Sequence, residues 1–471
     1  MKDFAQYAIN LARDRGASYA DVRIEKSDGQ AFLLKNGSPE LGGISSHEGI
    51  GLRMLIKGKL VFGATGTLSK KGIKALVFRS AKAASATAKV SPSKNNFASA
   101  KTVRTTQVIK AKKPFSSIGP EGYLAYLKNL DALAASCRTR FFSLGVQDTK
   151  KCFVNTEGSV ITTHIPSAAL FAVCGIVKGK KSMQRMWQKG GNGGFEQVRH
   201  WDLEGDISQE IPALKKNLKE ARLAPKGKLD VVAAPEVTGI LVHESGGHPY
   251  EADRILGREA AQAGESFISL AMKGHRLASP NVSVVDDPLL KGGAGSYLHD
   301  DEGIPAKKKF LLKKGLVNDF LHSRETAAEC KTHPNGSARA CAYNREPIPR
   351  MSNTYMLPGS HNQDELINGI KKGVFIKNFM EWNIDDRRMN QKYVGNESYL
   401  IENGRLTNPV LHPVIELSTP TLYGAIDALA RDVQHFYGTC GKGEPMQGIP
   451  VTLGGPSIRL RNIILGGSHA R

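Results

Sequence analysis

Two histidines and a glutamate occur within six residues in His243-Glu244-Ser245-Gly246-Gly247-His248, directly after the apolar run Ile240-Leu241-Val242. Imidazole nitrogens together with a carboxylate are suitable ligands for a borderline divalent metal such as zinc. On an ideal helix, residues five apart point about 140° away from each other, so a straight helix cannot present both imidazoles to one ion. Gly246, Gly247 and Pro249 favour a local departure from α-helical geometry. We therefore expect the helix to end or bulge inside this stretch.

A hydrolytic metal site needs a further protein ligand, and Cys440 is a candidate, in Tyr437-Gly438-Thr439-Cys440-Gly441-Lys442-Gly443. A thiolate beside two imidazoles is a known catalytic zinc set that leaves one position for water. Glu244 adjoins the first histidine and would be the general base that takes a proton from this water. The alternative is that both histidines are structural or solvated, as most isolated histidines are.

The elements that must position these residues follow from apolar periodicity. The pattern predicts helices over 4–15, 70–90, 121–137 and 206–221, with strands between 20 and 63 and between 138 and 177. Pro235 and Glu236 suit the first turn of the metal helix, which follows a strand at 229–234. Residues 189–194 are interpreted as a flexible hairpin tip, and residues 425–430 as a helix before Cys440.

The stretch from His243 onward resembles the signature of the TldD/PmbA family of metallopeptidases, once called modulators of DNA gyrase, whose pattern is His-Glu-x-x-x-His-x-x-Glu-x-Asp. Glu251 and Asp253 complete the match to this pattern. The third zinc ligand of the family is a cysteine in a Cys-Gly-Lys context, which Cys440-Gly441-Lys442 fits. Further blocks that resemble the family are Asp300-Asp301-Glu302-Gly303, Leu321-His322-Ser323-Arg324-Glu325-Thr326, Arg350-Met351-Ser352-Asn353-Thr354-Tyr355 and Ile401-Glu402-Asn403-Gly404.

The resemblance implies a peptidase with one Zn²⁺ per chain, held by His243, His248 and Cys440. It also implies an extended peptide bound through its main chain, hence broad specificity for short or unfolded peptides. Because this chain keeps the ligands, it resembles the active type of a family that also contains ligand-less members. We expect a homodimer or a heterodimer with such a member.

Further site residues are predicted from their chemistry. Glu251 and Asp253 could orient the ligand imidazoles, although a salt bridge on the helix surface would also explain them. For peptide binding and stabilisation of the developing oxyanion, the candidates are Arg339, Arg350, Asn353, Tyr297 and His299.

The predicted fold class is α+β. An N-terminal α+β domain (1–92) is followed by a linker or crossing segment (93–120) and a central α+β segment (121–225). The C-terminal metallopeptidase domain (226–471) is predicted to be β-rich, barrel- or sandwich-like, and to carry the metal helix. A length of 471 residues agrees with two or three domains.

The composition indicates the expected location of the protein and its expected partners. There is no apolar run long enough to span a bilayer and no Cys-x-x-Cys pair, so we expect a cytoplasmic protein without a membrane partner, a disulfide framework or a zinc ribbon. The net charge is +21, from 65 basic and 44 acidic residues. Since lysines and arginines are widely spread and aromatic residues are few, we expect solvated surface rather than a nucleic-acid partner.

Two other functional classes stay open. Cys440 could be the nucleophile of a cysteine hydrolase, with His435 nearby in sequence. Such activity would resist chelators. A basic binding or partner protein without catalysis would instead depend on the positive charge, and its binding to nucleic acid would depend on salt but not on Glu244.

Overall fold

The computed structural model describes residues 1–179, 181–259 and 265–466. The N-terminal region has strands β1 (Tyr19–Lys35), β2 (Ser38–Ile56), β3 (Lys59–Thr65), β4 (Arg104–Val108), β5 (Thr139–Asn155), β6 (Val160–Lys178) and β7 (Lys181–Asn192). Its helices are α1 (Lys2–Asp14), α2 (Lys70–Val90), α3 (Pro120–Leu133), α4 (Phe195–His200) and α5 (Leu203–Glu220). In the described part of the chain, all seven strands form one sheet in the order β3-β2-β1-β5-β6, and both β4 and β7 pair with β6.

The two faces of this sheet differ because alternate side chains of a strand point in opposite directions. Even-numbered apolar residues of β1 and β5 lie under the helices: Val22 and Val154 pack with α1 and α2, and Leu34 and Leu144 with α3 and α5. Odd-numbered residues such as Arg23, Glu25 and Lys151 face the C-terminal region, where Lys151 Nζ lies 3.4 Å from Asp301 Oδ1. One sheet face therefore holds the core and the other is a polar interface.

The C-terminal region begins with β8 (Arg222–Leu223), β9 (Gly227–Ala233) and α6 (Pro235–Val242). It continues with α7 (Ala252–Ile255), β10 (Val284–Asp286), β11 (Lys309–Lys313), β12 (Leu316–Val317), α8 (Arg324–Glu329), β13 (Ala338–Arg339), β14 (Ile348–Pro349), β15 (Asn353–Met356), α9 (Gln363–Asn368), β16 (Lys372–Ile376), β17 (Phe379–Ile384) and β18 (Asn390–Gly395). The last elements are β19 (Ser398–Glu402), β20 (Arg405–Leu411), β21 (Val414–Ser418), α10 (Thr419–Ala425), β22 (Ile426–Leu429), β23 (Gln434–Lys442), β24 (Gln447–Gly455) and β25 (Ile458–Gly466).

Two sheets enclose the helix that carries the histidine motif. Within the described residues, one has six strands in the order β12-β11-β10-β15-β24-β23, and the other has ten, with β9, β16 and β25 at its centre. Val237, Ile240, Leu241 and Val242 of α6 are buried in a single apolar cluster with residues of both sheets. A helix that is apolar on all sides must be buried in this way. The predicted fold class, including a β-rich C-terminal domain with the metal helix, is confirmed.

Several predicted elements need correction. Residues 425–430 are mostly strand β22, because this run pairs with β25. Residues 189–194 do not form a hairpin tip, since β7 extends to Asn192 and leads into α4. The segment 93–120 contains β4, and β1 pairs with β5 from Asp21 to Lys35, so the segments 1–92 and 121–225 share one sheet. Residues 467–471, at the end of the predicted C-terminal domain, lie outside the described residues.

Candidate metal centre

The histidine motif departs from α-helical geometry where the sequence predicted it would. Helix α6 passes into a π-helical turn, His243–Gly247, followed by a 3-10 turn, His248–Tyr250. The N–H of His248 donates to the carbonyl oxygen of His243, a bond that spans five residues instead of four. This wider turn brings His248, five positions later, back over His243. The two imidazole rings consequently lie 5.0 Å apart between centroids.

The glycines of the motif serve close packing. A Cβ on Gly247 would lie 1.9 Å from Met351 Sδ, and one on Gly246 would lie 2.5 Å from Tyr423 Oη. The φ of Gly247 is −111°, which other residues also adopt. Larger residues are therefore excluded by lack of space rather than by backbone conformation.

Cys440 on β23 joins the two histidines from almost 200 residues away in sequence. Its Sγ lies 3.4 Å from His248 Nε2. The ligand atoms of His243, His248 and Cys440 all lie within 4.8 Å of one another, and all three side chains are buried. The three predicted ligands are thus brought together.

The charges around Cys440 favour its thiolate. Burial opposes ionisation, but His248, Arg350 and His243 together hold the pKa of the Cys440 thiol well below its usual value. Burial likewise opposes a charge on His248, yet Cys440 and Glu251 raise the pKa of this imidazole. The thiolate is the form of cysteine that binds metals.

A buried charge network supports these ligands from behind. Glu251 Oε2 lies 3.0 Å from His248 Nδ1 and 3.1 Å from Lys442 Nζ. Lys442 Nζ also donates to Asp253 Oδ1 at 2.7 Å and to the carbonyl oxygen of Pro349 at 2.9 Å. Because Lys442 is two residues from Cys440, one ammonium group connects both ligand-bearing segments. Glu251 and Asp253 therefore lie in this buried network, and neither forms a salt bridge on the helix surface.

Glu244 is held in a fixed orientation at the metal-ligand cluster. Its Oε2 accepts a hydrogen bond from Arg388 Nη1 at 2.8 Å, and its Oε1 accepts one from Trp382 Nε1 at 3.2 Å. Both donors come from the β17–β18 hairpin, and Arg388 sits in its turn with a φ of 63°. Sequence reasoning missed these two residues, because nothing in the sequence pattern links this turn to the motif.

The cluster opens into a cavity of about 680 Å³ between the two regions of the protein. His243, Glu244, His248 and Cys440 all line it. Its walls include β7 from the N-terminal sheet and β17 and β23 from the C-terminal region. A space of this size accommodates several residues of a peptide.

The N-terminal wall is attached directly to the motif helix. Arg185 on β7 donates to both carboxylate oxygens of Glu236 at 2.8 and 2.6 Å, and Glu236 lies in the first turn of α6. Arg185 Nε also donates to Glu210 Oε2 at 2.5 Å. A bidentate arginine–carboxylate pair fixes direction as well as distance.

The five residues predicted to bind peptide do not line the cavity beside the metal cluster. Arg350 is fully buried and donates to the carbonyl oxygens of Cys440 and Gln447 at 2.6 and 3.0 Å. Asn353 Nδ2 donates to the carbonyl oxygen of Asp287 and to Ser296 Oγ, and Asn353 Oδ1 accepts from the N–H of Gly295. Arg339, Tyr297 and His299 line a second, smaller cavity on the polar face of the N-terminal sheet. We therefore do not propose these residues as peptide ligands.

His435 is not placed to activate Cys440. The two residues are five positions apart on the same strand, β23, so their side chains point to opposite faces. The His435 ring instead packs edge-on against Tyr355, with 5.0 Å between ring centroids.

The residues present fit a zinc ion. Two imidazoles and one thiolate form a catalytic zinc set, and Zn–N and Zn–S bonds of about 2.0–2.3 Å suit donors this close together. His243 Nδ1 is buried and has no hydrogen-bond partner among the described residues. The imidazole of His248 is oriented by a carboxylate, as metal-bound histidines commonly are.

Known proteins show the same architecture. Residues 226–467 match the family model of the PmbA/TldA metallopeptidase C-terminal domain, and residues 20–84 match that of PmbA/TldA metallopeptidase domain 1. A metalloprotease of Methanothermobacter thermautotrophicus is 32% identical over 460 residues, which cover 96% of each chain. A zinc metalloprotease TldD homologue of Saccharolobus solfataricus is 29% identical over 56% of this chain and 57% of its own.

Solved structures share the fold. A crystal structure from Thermotoga maritima, described as a modulator of a DNA gyrase, superimposes with a TM-score of 0.79 at 17% identity, over 99% of this chain and 100% of its own. In the part of the chain that the structure describes, no helix is both long and apolar enough to cross a membrane. From the family-model matches and the relatives that match along its length, we conclude that the chain belongs to the PmbA/TldD family of metallopeptidases.

Proposed function

We propose that the chain is a zinc-dependent peptidase in which His243, His248 and Cys440 hold one zinc ion and Glu244 is the general base. The observation that carries this proposal is the convergence of three buried donor atoms within 4.8 Å, beside a carboxylate that lines the same cavity. The Saccharolobus solfataricus relative, which is named a zinc metalloprotease, supports zinc as the metal.

When bound, zinc supplies a Lewis acid that polarises the peptide carbonyl and activates a water molecule. Glu244 accepts the proton of the attacking water and returns it to the leaving amine. Arg388 and Trp382 each donate to one oxygen of this carboxylate, which keeps it oriented while the proton is exchanged. Glu251 and Lys442 fix the position of His248 relative to the strand that carries Cys440.

The cavity favours recognition of the peptide main chain. Five consecutive residues of β7, 185–189, and six of β23, 436–441, border it. Because alternate side chains of a strand face opposite ways, an unbroken run means that the strand edge borders the cavity. Among the described strands, β23 is an edge strand of its sheet, and β7 pairs with β6 on one side only. Such edges can bind an extended peptide by backbone hydrogen bonds, which supports broad specificity for short or unfolded peptides.

Elemental analysis of the purified protein tests the metal assignment. We expect close to one zinc per chain in the wild type and a loss of zinc in Cys440→Ala prepared in parallel. Glu244→Gln is the matched variant, because it should keep zinc and lose most of the turnover, by about 10²- to 10⁴-fold. A wild type that stays free of metal after zinc resupply, or activity that resists chelators, would contradict the proposal.

A peptide library tests specificity separately. We expect cleavage of unrelated short peptides with similar kcat/KM, and poor cleavage of the same segments inside folded domains. Cleavage confined to one sequence would refute recognition through the main chain while leaving the zinc assignment intact.

A further inference from the structure

The positive charge of this protein is concentrated in one stretch, which the peptidase function does not explain. Residues 49–120 contain 15 lysines and arginines and no aspartate or glutamate, so they account for 15 of the 21 net positive charges. Apart from Arg53 and Lys59, all of these basic residues are exposed. In the part of the chain that the structure describes, none of these exposed residues forms a salt bridge with a carboxylate.

Helix α2 arranges part of this charge in a line. Its buried face consists of Ile73, Leu76, Val77, Ser80 and Ala84. At about 100° per residue, the opposite half of the helix carries Lys71, Lys74, Lys82 and Lys89 within a sector of about 80°, and we call these four residues the α2 basic row. The row runs about 27 Å along the helix, at 1.5 Å per residue.

Neighbouring segments extend the α2 basic row. The exposed ring of Phe78 lies within the row, and the guanidinium of Arg15 stacks 3.5 Å above its centroid. Beyond the C-terminal end of α2, Lys94 packs beside Gly58 in the β2–β3 turn, which also carries Lys57. The basic surface thus continues from the helix onto the adjoining turn.

The row is remote from the substrate cavity. Helix α2 packs on β2 and β3 at one edge of the N-terminal sheet, whereas β7, at the opposite edge, borders the cavity. At about 4.8 Å per strand, these edges lie about 24 Å apart across the sheet. Cationic groups in the cavity wall are already paired: Arg185, Lys189 and Lys377 each bind a carboxylate. The row therefore has no role in peptide binding in the cavity.

We propose that the α2 basic row binds the phosphate backbone of nucleic acid without sequence preference. Unpaired lysines in a line complement a polymer with one charge per 3.4 Å of each strand, and contacts to phosphate carry no sequence information. A protein partner fits less well, because lysine is depleted at protein–protein interfaces. This proposal departs from the expectation of a merely solvated surface, because four lysines without a carboxylate partner among the described residues lie along one side of α2.

Fluorescence anisotropy with a labelled random-sequence DNA duplex of about 30 base pairs tests this proposal on the full chain. We expect binding whose log K falls linearly with log [NaCl]. Replacing all four lysines of the row by glutamine should lower affinity about tenfold or more, and reduce the slope by about 3 to 4, from 0.9 per phosphate contact. Glutamine keeps helix propensity close to that of lysine, so α2 should remain folded.

The matched control replaces Lys128, Lys215, Lys216 and Lys219, which are exposed on α3 and α5 of the same region, by glutamine. Both variants carry the same net charge, and the control should bind DNA within about twofold of wild type. No DNA binding by the wild type at low salt, or equal losses in both variants, would overturn the proposal. If polyglutamate at equal charge concentration displaces the DNA, the assignment of the α2 basic row to nucleic acid is overturned. Both variants should retain peptidase activity, so this test is independent of the metal site.

Discussion

Lys442 is the residue whose replacement should most clearly disturb the positions of the metal ligands. Its ammonium group is fully buried, with Glu251, Asp253 and Glu259 oxygens at 3.1, 2.7 and 4.0 Å. Lys442→Met keeps most of the side-chain volume but removes the charge. The remaining buried carboxylates then repel one another, with Arg254 as a nearby cation, 3.9 Å from Glu251.

The magnitude follows from two separate effects. Removing one partner of a buried ion pair costs about 3–5 kcal/mol, because the charge that stays buried loses a close counterion. At about 2–4 °C per kcal/mol for a domain of this size, the melting temperature should fall by about 6–20 °C. Misorientation of Glu251, which positions His248, should weaken zinc binding by about 10- to 100-fold.

The assay is competition for zinc with a chromophoric chelator, together with thermal melting. Lys309→Met is the matched control, because Lys309 is also fully buried and pairs with Asp286 at 3.0 Å, in the six-stranded sheet. Both variants should lose stability, but only Lys442→Met should lose zinc affinity. If the two variants bind zinc equally tightly, Lys442 does not hold the ligand segments together and the reasoning is refuted.

Three further predictions concern other buried groups. Arg388→Met should keep zinc but lower kcat about 10- to 100-fold, since a hydrogen bond to a charged group is worth about 1.5–3 kcal/mol; unchanged kcat would show that Glu244 needs no such support. Burial lowers the pKa of His322 to about 4, so the unfolded chain binds a proton below pH 6.5 that the folded chain binds only near pH 4. Urea denaturation should therefore show stability lost as pH falls from 6.5 to 4, by about 3 kcal/mol at most, and His322→Gln should flatten this part of the profile. Arg53 pairs with Asp21 and Glu302 at 2.6 and 2.7 Å, so Arg53→Met should destabilise the protein by about 3–5 kcal/mol, whereas Arg387→Met, at the exposed Arg387–Glu265 pair, should cost at most about 1.

Local sequence patterns were sufficient to predict the helix at 70–90 and the departure from helical geometry after Val242. Both depend on spacing and on residue types within a few positions, which the sequence displays directly. The strand at Ile426–Leu429 was predicted as a helix because its pairing partner is β25, which a local window does not include.

Contacts between segments that are distant in sequence limited how much of the site could be predicted. Arg350 was predicted to bind peptide, yet it is fully buried and donates to Cys440 and Gln447, because residue type alone does not report burial. Arg388 and Trp382 reach Glu244 from a hairpin about 140 residues later, without any recognisable spacing. Cys440 was a candidate because a thiolate suits zinc, and the family pattern supported it.

The N-terminal sheet is part of the proposed peptidase site. Its strand β7 forms one wall of the cavity, and an added Cβ at Gly190 would lie 2.2 Å from the Tyr437 ring on β23. Arg185 on the same strand ties this wall to Glu236 at the start of the motif helix. The width of the cavity is therefore determined by packing between the two regions. A C-terminal region alone would retain all three ligands, yet it would lack one of the two strand edges that we propose bind an extended peptide.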